Sequence, residues 1–129
     1  MYLTSANSFP SLQGRQFMSL TTFRKDGKPV STPVWFAQEG ENLYVLSPAN
    51  TGKVKRIRHN AQVEVAPCTM NGKLLGDPVE AMALILPGDH AVKAIHALNR
   101  KYGLLKRVYD LYHLVRGVHR VYLEISPME

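Results

Sequence analysis

Cysteine is almost missing from this chain. Cys68 is the only one in 129 residues, which excludes an internal disulfide and any zinc site built on cysteines. Redox chemistry, if there is any, must then come from a bound cofactor. Long apolar runs are also absent: none approaches the roughly 20 residues of a membrane-spanning helix, and the N-terminus has no apolar signal-peptide core. A cytoplasmic protein with no membrane insertion is expected. Acidic residues are scarce, 10 against 16 Lys and Arg, for a formal charge of +6. That surplus favours an anionic partner such as a phosphate, a polycarboxylate, a nucleic acid or a membrane surface, and does not choose among them. Repeats and low-complexity segments are lacking.

The residue types of common catalytic sites occur without their contexts. Ser19, Ser31 and Ser47 lack a nucleophile-elbow setting, so a hydrolase triad finds no support. His90 and His96 are six apart and fall on different helical faces, with no convergent carboxylate or cysteine. They read as surface or core histidines, His59, His113 and His119 are equally scattered, and no metal site is expected. Cys68 reads as a small apolar residue at a strand end.

What is present is enough apolar sequence, 45%, for the core of one domain over residues 1–129. Phe17 to Phe23 is rich in β-formers and ends at Lys25-Asp26-Gly27-Lys28, a strong hairpin signal. The returning strand is Pro29 to Ala37, and a turn at Glu39-Gly40-Glu41-Asn42 precedes the strand Leu43 to Ser47, so the first half reads as an antiparallel meander. Further strands are expected over Gln62 to Ala66 and Val79 to Leu86, with a turn at Met70-Asn71-Gly72-Lys73. Pro87-Gly88-Asp89 stops the last of these and starts a helix. The C-terminal third predicts two helices separated by Gly103. The second carries an apolar face of Leu104, Leu105, Val108, Leu111, Tyr112 and Val115, which suits packing on the domain or on a twin subunit better than a membrane surface. Gly117 ends it, and Val118 to Ile125 alternates as a closing strand. Six largely antiparallel strands with segregated helices predict a mainly β fold, a small barrel or sandwich with attached helices.

The most informative stretch is Asn50 to Arg58, a helix from about Thr51 to His59 directly after the strand ending at Ser47. A helix entered through hydroxyl and glycine residues leaves its first N–H groups free to meet a phosphate, and Lys53 adds a charge beside them. Such contacts are each worth about 1.5–3 kcal/mol. A capped helix with a solvated basic face explains the local sequence equally well. It is not a P-loop, because the spaced upstream glycine is missing.

Taken together, Ser19 to Gly27, Val30-Ser31-Thr32-Pro33-Val34-Trp35-Phe36, Thr51 to Asn60, Val65-Ala66-Pro67-Cys68, Gly76 to Ala81 and Arg100-Lys101-Tyr102-Gly103 resemble the pyridoxamine 5′-phosphate oxidase-like flavin and deazaflavin oxidoreductases. The similarity is greatest to their coenzyme F-420-dependent branch and spans nearly the whole chain. The resemblance implies a six-stranded antiparallel split β-barrel of the FMN-binding type, working as a homodimer with two cofactor sites in grooves between subunits. It gives Ser47, Thr51, Gly52 and Lys53 to the cofactor phosphate and Lys55 and Arg58 to a longer anionic tail. Pro33, Val34, Trp35 and Phe36 would lie along the tricyclic ring. No catalytic side chain is assigned, since the ring supplies the reactivity and the protein its orientation. After the closing strand only Ser126-Pro127-Met128-Glu129 remain, so oxidation of pyridoxamine phosphate itself is disfavoured. The basic residues after Lys53 favour coenzyme F-420 over FMN, and the expected activity is hydride transfer to a small conjugated electron acceptor. A non-catalytic flavin- or tetrapyrrole-binding protein is the alternative. A nucleic-acid binder ranks below both because the strand aromatics of a stacking surface are not evident.

Overall fold

The structure, a computed structural model, describes residues 9–128. Seven antiparallel strands form one curled sheet: β1 (Phe17–Phe23), β2 (Pro29–Trp35), β3 (Ala37–Glu39), β4 (Asn42–Pro48), β5 (Gln62–Cys68), β6 (Val79–Leu86) and β7 (Arg120–Pro127). Helix α1 (Gly52–His59) links β4 to β5, while α2 (Val92–Tyr102) and α3 (Leu104–Arg116) lie between β6 and β7. The β1–β2 hairpin turns where expected: the Lys28 N–H donates to Asp26 Oδ1 at 3.0 Å, and Gly27 takes φ +88°, a conformation open to glycine.

The strand order is β2-β1-β5-β6-β7-β4-β3. Its two edge strands, β2 and β3, are consecutive in the chain with only Phe36 between them, so the sheet must curl until its edges meet. This is the split barrel. One expected strand, Pro29 to Ala37, is therefore two, and the sheet has seven strands where six were expected. The break has a visible cause. The Phe36 N–H donates to the Tyr102 hydroxyl at 3.0 Å, and the Phe36 carbonyl lies 2.9 Å from that hydroxyl and 2.8 Å from Lys101 Nζ. Partners from α2 replace the ladder at this residue and turn the corner. The expected meander persists as two hairpins, β1 with β2 and β3 with β4 along Ala37↔Tyr44 to Glu39↔Asn42, and β4 pairs on its other side with β7 along Leu43↔Ile125 to Pro48↔Arg120.

Inside the curl, Met18, Leu20, Leu43, Val45, Val63, Val65, Leu123 and Ile125 pack with Phe9, Leu12 and Phe36. They are the alternate residues of their strands, as the period of two requires. Val54 and Ile57 on α1 are buried as well. A second cluster joins Ala94, Ala97, Leu98 and Tyr102 of α2 to Tyr44, with Trp35, Leu46 and Tyr122 packed against it. Cys68 is buried at the end of β5. Helix α3 turns its polar side to the domain. Its inward stripe is Lys106, Tyr109, Asp110 and His113, with Lys106 and His113 buried. The apolar face points outward, with Leu104, Val108, Leu111 and Val115 between 58% and 76% exposed. Among the described residues, no helix is long and apolar enough to cross a membrane.

Candidate functional site

The entry to α1 follows the sequence closely. Thr51 is its N-cap residue in extended conformation, and no side chain caps the helix. The two hydroxyls expected at a phosphate meet the preceding turn: Ser47 Oγ and Thr51 Oγ1 each donate to the Pro48 carbonyl at 3.1 Å and lie 3.1 Å from one another. Ser47 is fully buried. These two residues shape the turn, while the N–H groups of the first helical turn are left without a side-chain acceptor.

Lys53 is half-buried, and no described carboxylate forms an ion pair with it. Burial, and then the nearby Arg56 charge, hold its amine below the usual lysine range. Arg56, which the sequence reading considered only as a possible nucleic-acid contact, lies close to Lys53. Its Nε donates to the buried Thr22 Oγ1 at 2.6 Å, and its guanidinium folds back to the helix start, where a Cβ on Gly52 would meet Nη1 at 2.7 Å. Gly52 thus leaves the space that Arg56 fills. The i, i+4 spacing of the two positions was the available signal. Two like charges are held together at the positive end of a helix, an arrangement that an anion relieves.

A cavity of about 350 Å³ opens beside Lys53. It is lined by Phe17, Pro33, Val34, Trp35, Leu46, Pro48, Lys53, Met70, Leu98, Lys106 and Tyr109. The structure brings Pro33, Val34 and Trp35 to the same cavity as Lys53. β2 is an edge strand, so one row of its backbone donors and acceptors is free of sheet pairing, and its prolines are tolerated for the same reason. Trp35 is fixed by stacking on Tyr102, with ring centroids 4.6 Å apart and planes 11° apart, and meets Tyr109 at 5.5 Å. The Tyr102 hydroxyl is pushed up to about 12 by burial, so it stays protonated as the clasp at Phe36.

Phe36 does not belong to this wall. Its side chain is buried in the barrel core, one residue past the corner. Lys55 and Arg58 are also separated from the Lys53 cavity. They line a larger groove of about 790 Å³ with Asn50, Tyr112, His113 and His119. Pro48 lines both spaces, so they adjoin. On the far side of the cavity, Lys106 Nζ donates to Asn99 Oδ1 at 3.0 Å and Asp110 Oδ2 at 2.8 Å, and Arg120 Nη1 donates to Asp110 Oδ1 at 2.6 Å. Burial raises the Asp110 carboxyl, but these two cations outweigh it and hold it below its usual range. Burial, reinforced by Arg120, lowers His113, which sits with Nδ1 3.3 Å from Arg120.

The curled seven-stranded sheet, with a basic helix start and an apolar cavity against an edge strand, is a split β-barrel. The family model described as pyridoxamine 5′-phosphate oxidase matches residues 7–104, and the chain belongs to that family. Solved structures agree on the fold. A FAD-binding protein from Mesorhizobium loti is 21% identical with a TM-score of 0.67, the match covering 98% of this chain and 90% of that one. An F-420 reductase is 20% identical with a TM-score of 0.58, covering 98% and 96%. HutZ, the heme storage protein of Vibrio cholerae, is 15% identical with a TM-score of 0.65, covering 93% and 87%. No curated protein matches the sequence significantly.

Proposed function

We propose that this protein is an oxidoreductase that binds a deazaflavin, coenzyme F-420, or alternatively FMN, and passes hydride to a conjugated organic acceptor. One observation carries the reading: a half-buried Lys53, without a described carboxylate partner, shares an apolar cavity with the Pro33-Val34-Trp35 edge strand. A ribityl phosphate fits the Lys53 end, close to the free N–H groups of the start of α1, with the Arg56 guanidinium over Gly52 nearby. A flat ring fits against Trp35, with the unpaired backbone row of β2 available to its polar edge. When bound, the ring supplies the hydride chemistry, and the protein supplies position, an apolar surround and charge. The adjoining groove with Lys55 and Arg58 suits an oligoglutamate tail, which favours the deazaflavin.

The assembly in this reading is a homodimer. The outward face of α3 is a run of exposed leucines and valines of the kind a twin subunit covers, and a cavity of about 350 Å³ lies at the small end for a cofactor site, so a second copy would complete it. The test is a titration of the purified protein with FMN and with the deazaflavin, followed by ring fluorescence. Tight binding of either, with reduction of an added enone by the reduced complex, is the expected result. Binding of hemin in preference to both would replace this reading with tetrapyrrole storage.

A further inference from the structure

We propose that the corner at Phe36 carries a second ligand site, a cavity that takes a small monocarboxylate with an apolar tail. This cavity, of about 440 Å³, lies between α2, the edge strand β3 and the single helical turn at Pro10–Leu12. It shares no lining residue with the Lys53 cavity. The break in the strand divides the two spaces, since Trp35 lines one and Phe36 the other. The floor is apolar: Leu12, Phe36, Ala37 and Ala97 are each at most 3% exposed. A short alkyl chain gains by leaving water for such a floor.

The charged residues of the lining are Arg100 and Lys101, both positive. Arg100 Nη1 donates to Glu39 Oε1 at 2.8 Å, while no described carboxylate forms an ion pair with Lys101. One carboxylate therefore serves two cations. The Lys101 ammonium has three donors. The Arg15 and Phe36 carbonyls accept two of them, and the Phe36 ring lies 3.7 Å from Nζ. Burial lowers this amine to about 8, as it does for a charge that lacks a nearby anion.

Gln38 supplies an uncharged donor. Its Nε2 is one of two buried side-chain polar atoms among the described residues that lack a hydrogen-bond partner, and a buried donor left unpaired is costly. The terminal amide torsion of glutamine is broad, so Nε2 can turn to an oxygen held beside Lys101. The two oxygens of a carboxylate have lone pairs enough for Lys101, Gln38 and Arg100 together, and the tail covers the floor. A bare phosphate meets the same cations and leaves the floor uncovered.

The test is a titration of nitrogen-15-labelled protein with hexanoate and with hexan-1-ol, followed by backbone amide signals. Gly14 and Gly40 report on this cavity, which they line, and Gly52 reports on the start of α1. Hexanoate is expected to shift Gly14 and Gly40 saturably and to bind about tenfold or more tighter than the alcohol, the usual worth of a charge-assisted contact. Lys101→Met is expected to abolish that preference. Glu39→Gln frees Arg100 and is expected to strengthen it, so this surface variant decides the matter if the first fails to fold. Gln38→Leu removes the unpaired donor, and is expected to raise the ligand-free unfolding midpoint while weakening hexanoate. A Lys101 that serves only the corner would destabilise the fold when replaced by Met and leave the preference intact. That result overturns the proposal. So do equal affinities for the two probes, an absence of shifts at Gly14 and Gly40, or shifts at Gly52 alone, which assign the carboxylate to the start of α1. The titration needs no cofactor, so failure to bind FMN or the deazaflavin refutes the cofactor reading alone.

Discussion

Replacing Lys53 by Met separates ligand binding from folding. Methionine keeps a flexible apolar stem and removes only the charge. In the ligand-free protein that charge is unfavourable, because burial and the Arg56 guanidinium both disfavour it and no described carboxylate offsets it. A lysine whose folded pKa lies below its unfolded value of 10.5 opposes folding while it is protonated. Ligand-free stability of the parent should therefore rise as pH climbs from the depressed folded value towards 10.5, and less so in the variant. With phosphate bound the sign reverses. A charge-assisted contact of about 1.5–3 kcal/mol, at about 1.4 kcal/mol per factor of ten, makes FMN binding roughly 10- to 150-fold weaker in Lys53→Met. Two measurements on the same samples check this: ring-fluorescence titration, and thermal unfolding with and without FMN. The ligand-free midpoint should be unchanged or higher, and the FMN-induced rise should shrink in step with the lost affinity. Equal FMN affinity in variant and parent, or a ligand-free variant several degrees less stable, would refute the phosphate site.

Arg56→Met should weaken FMN about tenfold or more, on the worth of a charge-assisted contact, and leave riboflavin, which lacks the phosphate, unchanged; equal losses for the two would make Arg56 a structural residue. Neutralising Lys55 and Arg58 together should lower deazaflavin affinity and its salt dependence more than those of FMN, because the two line the adjoining groove; matched losses in parallel titrations would contradict a tail site. Sedimentation over a dilution series should find a dimer, and Leu111→Glu on the outward face of α3 should dissociate it; a micromolar monomer with full cofactor affinity would end the shared-site reading. Lys101, lowered to about 8 by burial, should add to the gain in stability between about pH 8 and 10.5, and Lys101→Met should flatten that part of a pH–denaturation profile; an unchanged profile would show the ammonium to be fully compensated by the Phe36 and Arg15 carbonyls to which it donates.

The sequence by itself determined the local structure and the chemistry of the helix start. Alternation with a period of two marked the strands, Asp26-Gly27 marked the hairpin, and Thr51-Gly52-Lys53 after a strand placed a cation among free helix N–H groups. All of these depend on neighbours in the chain, which is why they are legible without a fold. Family resemblance added the curled sheet and grouped Pro33, Val34 and Trp35 with Lys53. Tertiary structure decided the rest. Strand Pro29 to Ala37 breaks at Phe36 because Tyr102, 66 residues later, bonds its N–H, and that break sends Trp35 to the cavity and Phe36 to the core. Helical periodicity on α3 located two faces but not which one turns inward. The inward choice belongs to Lys106, Asp110 and His113, whose partners Asn99 and Arg120 come from α2 and β7. The position of the Arg56 guanidinium was not legible because it lies one turn back, over a glycine whose missing side chain makes the room. Contacts between residues distant in sequence depend on how the sheet closes, and no local pattern encodes that.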